Sequence, residues 1–189
     1  MRIFLTGSTG FIGQHTLRRL ANAGHELVCL IRPGSEARLH TSGILKELPA
    51  NLTIVPGDVN DRAALLKGMA GCDALIHLAN VYSMWLPDPR EFERVNVEGT
   101  RTVLEAALET GIRKVIYVST VAVFGKPEEQ PFTETSTPGP RLFSAYARSK
   151  AAADAIAWEL YRTRKLPLVA LYPGIVLGPG DDKPSGIYI

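Results

Sequence analysis

A chain of 189 residues with 46% hydrophobic and 21% charged side chains is long and apolar enough for one domain with a sizeable core, which excludes disordered, collagen-like and fibrous classes. Its formal net charge is only +2, and its densest basic run, Arg162, Arg164 and Lys165, reads as a solvated helix end; nucleic acid is therefore not an expected partner. Cys29 and Cys72 stand in or beside apolar runs rather than at metal or disulfide spacing, and no apolar run reaches the length of a membrane span, so a reduced, cytoplasmic protein without a metal site is expected.

Short β-branched runs alternate with longer helical periods. A first strand is predicted over residues 2–6, leading through Gly7 and Gly10 into a helix over 11–23 that Gly24 ends. A second strand over 26–31 runs into Arg32-Pro33-Gly34-Ser35, and a third covers 52–55. Asp61 is placed to cap a helix over 62–69, and a fourth strand follows over 74–78. After a long loop over 80–89 come a helix over 90–110, closed by Gly111, and a strand over 114–119. A second long, proline-rich loop over 121–143 leads to a helix over 144–164 and a last strand over 168–172. Most of the strand runs are almost continuously apolar, as suits strands covered on both faces, and the expected class is α/β with a doubly wound parallel sheet. In such sheets long loops overhang the carboxyl ends of the strands, where Tyr82, Met84 and Trp85 are candidates either to line a substrate cleft or to cover the sheet edge and pack under the loop. The Gly- and Pro-rich stretch after the last strand reads as a boundary. Residues 1–178 are expected to form the dinucleotide-binding domain, with 179–189 starting a linker toward a substrate domain that is largely absent.

Three stretches carry candidate chemistry. Gly7, Gly10 and Gly13 lie between a strand and a helix, where glycine permits a tight turn, close approach to a pyrophosphate and close helix packing, and the helix amino end can hold the phosphates. At the end of the second strand an arginine accommodates the extra phosphate of NADP, whereas a carboxylate would hold the ribose of NAD; Arg32 favours NADP, and NAD stays open if Arg32 stacks over the adenine instead. Tyr146 and Lys150 are four apart on a helix, hence on one face, and a nearby ammonium favours the phenolate that proton transfer requires. Ser119 or Thr120, at the end of the fifth strand, can bind a substrate oxygen or cap the turn. His77 reads as a buried structural imidazole.

Taken in order, TGSTGFIG at 6–13, GDVND at 57–61, DALIHLA at 73–79, NVEGTRTVLEAA at 96–107, VSTVAVFG at 118–125, YARSK at 146–150 and PGIVLGPGD at 173–181 resemble the extended branch of the short-chain dehydrogenase/reductase superfamily, the NAD-dependent epimerase/dehydratase family, with its Rossmann fold. The resemblance implies Tyr146 as proton donor or acceptor, Lys150 as its pKa-lowering partner and a holder of the nicotinamide ribose, and Thr120 as the substrate-binding hydroxyl. Thr120 is preferred to Ser119 by its distance from Phe124-Gly125, where the family usually has Tyr-Gly. The resemblance further implies Gly7, Gly10, Phe11, Ile12 and Gly13 at the pyrophosphate, Asp58 and Val59 at the adenine, and Ala79, Asn96 and Pro173 as further cofactor contacts.

Sugar-nucleotide dehydratases carry an Asp-Glu pair after the threonine, where this chain has Val121-Ala122, which disfavours dehydration. The 82–89 loop, the Arg-Pro after strand two and the Asp182-Lys183-Pro184 tail resemble the dihydroflavonol-4-reductase-like group and hopanoid-associated sugar epimerases. The expected activity is NAD(P)-dependent hydride transfer to a small-molecule carbonyl, with a nucleotide-sugar epimerase holding NAD as one alternative and a non-catalytic dinucleotide sensor as another. A homodimer is compatible with this reading. The 189-residue chain itself is expected to bind cofactor weakly and turn over poorly.

Overall fold

The structure, a computed structural model, describes residues 1–41, 43–45, 47–83 and 86–181. Among these, six parallel strands form one sheet: β1 (Arg2–Thr6), β2 (Glu26–Ile31), β3 (Leu52–Pro56), β4 (Ala74–His77), β5 (Lys114–Val118) and β6 (Leu168–Leu171), in the order β3-β2-β1-β4-β5-β6. That order reverses direction at β1, so a crevice opens between the carboxyl ends of β1 and β4, where doubly wound sheets bind ligands. Register carries the sequence patterns to that edge together: Thr6 pairs with Leu30 on one side and with His77 on the other, and His77 pairs with Tyr117.

The helices are α1 (Phe11–Asn22), a single turn α2 (Arg38–Thr41), α3 (Arg62–Met69), α4 (Gly99–Glu109) and α5 (Ala145–Arg164). Asp61 caps α3, its carboxylate accepting from the Ala64 N–H at 3.0 Å, and Ser144 caps α5 by accepting from Ala147 at 3.0 Å. Successive β1 residues point to opposite faces. Phe4 joins Leu65, Leu75, Leu104, Val115 and Leu160 in one core, while Ile3 and Leu5 join Leu17, Cys29, Leu39 and Ile76 in the other. Burial of the Cys29 thiol pushes it up to about 12, so it stays an unreactive apolar filler.

Three expectations change. The helix foreseen over 90–110 is two segments, because residues Phe92–Glu98 form a wider π-helical stretch before α4 begins at Gly99. The loop after β5 contains a 3₁₀ turn, Val121–Phe124, capped by Thr120. The edge strand β6 is not covered on both faces: Val169 and Leu171 are nearly half exposed, at 49% and 47%. No helix among the described residues is long and apolar enough to cross a membrane.

Candidate functional site

The glycine turn is built as a cradle. Gly7 has φ +76°, and a Cβ there would lie 2.7 Å from the Ala79 nitrogen, so the turn presses against the backbone leaving β4. A Cβ on Gly13 would lie 2.0 Å from the Gly7 carbonyl oxygen, which brings the first turn of α1 directly onto the loop. Gly10 opens α1 without any side-chain cap, and no acidic residue stands in its first turn. The amino-terminal N–H groups of α1, around Phe11, Ile12 and Gly13, therefore lack a carboxylate or hydroxyl partner from this cap, and this donor set suits a diphosphate. Gln14 fastens the turn by donating to the Thr9 carbonyl at 3.2 Å and the Arg38 carbonyl at 3.1 Å. The chain after β6 returns to this helix, with His15 Nε2 donating to the Pro179 carbonyl at 2.8 Å and Gly178 against the Phe11 ring.

At the end of β2, Arg32 is exposed, and the turn after it is closed by Ser35 N–H donating to the Arg32 carbonyl at 2.9 Å. Beyond β3, Asp58 accepts from the Asn60 N–H at 3.1 Å and pairs with Arg94 at 3.2 Å, while Asn60 donates to the Arg94 carbonyl at 2.9 Å. Val59 is buried, and Gly99 lets α4 come down on it: a Cβ there would meet Val59 Cγ2 at 2.5 Å. The loop at 58–60 is thus pinned to the π-helical stretch. Arg94, which the sequence reading passed over, does that pinning, and its spacing from Glu91 was the available signal.

Asn96 lies in the same stretch and is wholly buried. Its side chain accepts from the Val81 N–H at 2.7 Å and donates to the Val81 carbonyl at 3.1 Å and to Ser149 Oγ at 2.9 Å. Ser149 in turn donates to the Tyr146 carbonyl at 2.8 Å. Asn96 therefore sits behind the site, joining the loop after β4 to the helical turn between Tyr146 and Lys150, rather than on its surface. Ala79 is half-buried, its N–H donating to Thr6 Oγ1 at 3.2 Å. His77 is held at both ring nitrogens, by Thr6 at 2.7 Å and Thr100 at 3.1 Å, and burial keeps it neutral down to about pH 3.

Tyr146 and Lys150 project from the first turns of α5 toward β5. Thr120 stands beside the Tyr146 phenol, and its Oγ1 accepts from the Ala122 N–H at 3.2 Å. Ser119 is buried against Asp154, which stands about two turns beyond Tyr146 on α5. Tyr82 covers the Tyr146 ring edge-on at 5.1 Å between centroids. Burial, aided by Tyr82 and opposed by Thr120, pushes the phenol up to about 12. Lys150 is 2% exposed; its Nζ donates to the Val118 carbonyl at 3.0 Å and lies 4.8 Å above the Tyr117 ring. Burial lowers it to about 8, with Asp154 pulling the other way. Burial thus pushes both groups toward their neutral forms, Tyr146 upward and Lys150 downward. Pro173 lies across from this group, its carbonyl accepting from Val121 at 3.1 Å. Met84, Trp85 and the 182–184 tail lie outside the described residues. No group of metal-ligating side chains occurs among the described residues.

Known proteins resemble this chain in sequence and fold. The chain is 35% identical over 184 residues to a putative dihydroflavonol 4-reductase of Synechocystis sp., covering 96% of this chain and 51% of that one. It is 38% identical to a 4-hydroxy-2-methyl-3-oxo-4-farnesyl-3,4-dihydroquinoline-1-oxide ketoreductase of Stigmatella aurantiaca, with 84% and 46% covered. The dTDP-glucose 4,6-dehydratase DesIV of Streptomyces venezuelae, solved with NAD bound, superposes with a TM-score of 0.77 at 31% identity over 90% of this chain and 54% of its own. The chain thus spans about half the length of the curated relatives it matches. The sequence pattern of the NAD dependent epimerase/dehydratase family matches residues 3–188, and with a sheet that switches at the glycine turn and a tyrosine and lysine one helical turn apart at its carboxyl edge, the chain belongs to that family.

Proposed function

We propose that the protein built on this chain transfers hydride reversibly between a nicotinamide cofactor and a carbonyl or secondary alcohol carbon of a small molecule. The observation that carries this reading is the meeting of Tyr146, Thr120 and Lys150 at the same sheet edge as the uncapped start of α1. When bound, the nicotinamide supplies or accepts the hydride. Gly7, Gly10, Phe11, Ile12 and Gly13 hold the diphosphate through backbone amides. Thr120 Oγ1 already accepts a hydrogen bond from Ala122, which leaves its own proton to donate to the substrate oxygen. Tyr146 keeps its proton well above neutral pH and gives it to the same oxygen as the carbonyl is reduced. In the reverse direction the phenol must act as a base, and a charged Lys150 lowers the cost of the phenolate. Val121 and Ala122 offer no acid or base for elimination, and the two relatives named as reductases agree with reduction.

Tyr146→Phe is expected to cut carbonyl-dependent NADPH oxidation by at least a hundredfold, the lower range of general acid catalysis, while the dissociation constant for NADPH stays within about twofold. Turnover retained by this variant overturns the reading, and an epimerised product without net NADPH consumption replaces it with epimerisation. NADP rather than NAD is supported by exposed Arg32 at the end of β2. Arg32→Ala should weaken NADPH binding tenfold or more, the worth of a lost charge-assisted phosphate contact, and leave NADH binding nearly unchanged. Equal loss for both cofactors, measured by calorimetry, excludes the preference.

A further inference from the structure

Helix α5 carries an ionisable side chain that the proposed reaction leaves unused. Asp154 follows Lys150 by four residues and shares its face of the helix. Lys150 Nζ stands 4.8 Å above the Tyr117 ring, and Asp154, one turn further along α5, bears electrostatically on the hydroxyl of the same buried tyrosine. The aspartate is held in place from β6: Tyr172 donates its hydroxyl proton to Asp154 Oδ2 at 3.0 Å, and Trp158 Nε1 donates to the Tyr172 oxygen at 2.9 Å. Its other oxygen, Oδ1, is buried, as are the hydroxyls of Ser119 and Tyr117. A cavity of about 290 Å³ between the loop after β5 and α5 reaches Asp154, Trp158 and Tyr172, giving the carboxyl an edge toward solvent.

A buried ammonium served by one carbonyl and a ring face is costly to keep charged. The titratable groups that act on Lys150 are His77 on β4, Tyr117 on β5 and Asp154 on α5; Tyr146 stands one turn before it on the same helix, and Tyr172, beyond β6, is bonded to Asp154. His77 stays neutral and the tyrosines stay protonated near neutral pH. Among the titratable groups of the described residues, Asp154 is the one whose negative charge helps the Val118 carbonyl hold the proton on Lys150; burial raises the Asp154 carboxyl, and the Lys150 charge works against that rise. We propose that Asp154 is the internal counter-ion of Lys150, a positioning residue clamped by Tyr172 and Trp158 that keeps the ammonium charged behind Tyr146. This rests on the reading of Lys150 as the charged partner of Tyr146, but the pairing is measurable without turnover.

The test is an NMR titration of the chain labelled with ¹³C at lysine Cε, from pH 6 to 11, with the Lys150 signal assigned by its loss in Lys150→Met. In Asp154→Asn the Lys150 midpoint is expected to fall by about one pH unit, the lower end of the effect of a close opposite charge. Asp154→Glu, which restores the charge, should return most of that fall. An unmoved midpoint in a folded Asp154→Asn chain overturns the proposal. Where that variant does not fold, the wild-type chain labelled at aspartate Cγ decides: Asp154 should show an inflection at the Lys150 midpoint, and a flat response there overturns the pairing. A Tyr146→Phe protein that keeps its turnover would sink the reaction proposed above and leave this titration result standing.

Discussion

The carbonyl oxygen of Gly7 occupies the place where a side chain at position 13 would begin. The tight approach leaves no rotamer by which a methyl could escape, because the obstacle is backbone rather than a flexible side chain. Gly13→Ala must push α1 away from the turn. Overpacking of this kind costs about 1–3 kcal/mol, and the displaced amides can no longer converge on a diphosphate. Urea denaturation should show that loss of stability, and calorimetry should show dinucleotide binding weakened by more than tenfold; a variant with wild-type affinity would mean that the turn does not hold the phosphates. Asn96 and Ser149 set the opposite example. Both are buried and polar, yet their hydrogen bonds run to Val81 and Tyr146 rather than to an open surface, so their contribution is to fix where the phenol stands.

Most elements were legible because each carries its own local chemistry. Asp61 and Ser144 cap helices where a short oxygen-bearing side chain precedes an apolar period, and the strand runs are dense enough in branched residues to stand out from the polar turns. The glycine turn between β1 and α1 and the placement of Tyr146 and Lys150 one turn apart on α5 belong to the same legible part, since each rests on spacing within a few residues. What the sequence concealed depends on neighbours distant in the chain. The π-helical stretch at Phe92–Glu98 keeps a helical apolar pattern, but its wider turn is tied to Asn60 and Asp58 through Arg94, contacts that no local window contains. The half-bare β6 reads like a buried strand because its residues are apolar, and only the sheet order puts it at an edge. Asp154 offered one signal, its spacing of four from Lys150, yet its meaning comes from Tyr172 and Trp158 arriving across the helix–sheet boundary.

Across the whole molecule the two apolar layers enclose a line of polar groups running from Thr6 through His77 to Lys150, and folding must strip water from all of them. Stability should therefore depend on pH at both ends. The His77 imidazole ordinarily titrates near 6.5 and is lowered to about 3 by burial and by Lys150, so between these values the unfolded chain binds a proton that the folded chain refuses. Stability is then lost as pH falls from about 6.5 toward 3, with a slope of at most about 1.4 kcal/mol per pH unit for one site. Lys150 ordinarily titrates near 10.5 and is lowered to about 8; here too the unfolded chain binds more protons, so this residue makes stability rise with pH between about 8 and 10.5. Burial of Cys29 and Tyr146 acts in the opposite sense at the alkaline end, because their folded forms keep protons that the unfolded chain releases. The comparison that isolates each residue is with a variant lacking it. In urea denaturation series, wild type minus His77→Gln should become less favourable from pH 6.5 to 4.5, and wild type minus Lys150→Met more favourable from pH 8 to 10. Parallel stability curves for wild type and a folded variant would show that the corresponding side chain keeps its ordinary titration in the native protein, and the buried polar line would then have to be hydrated.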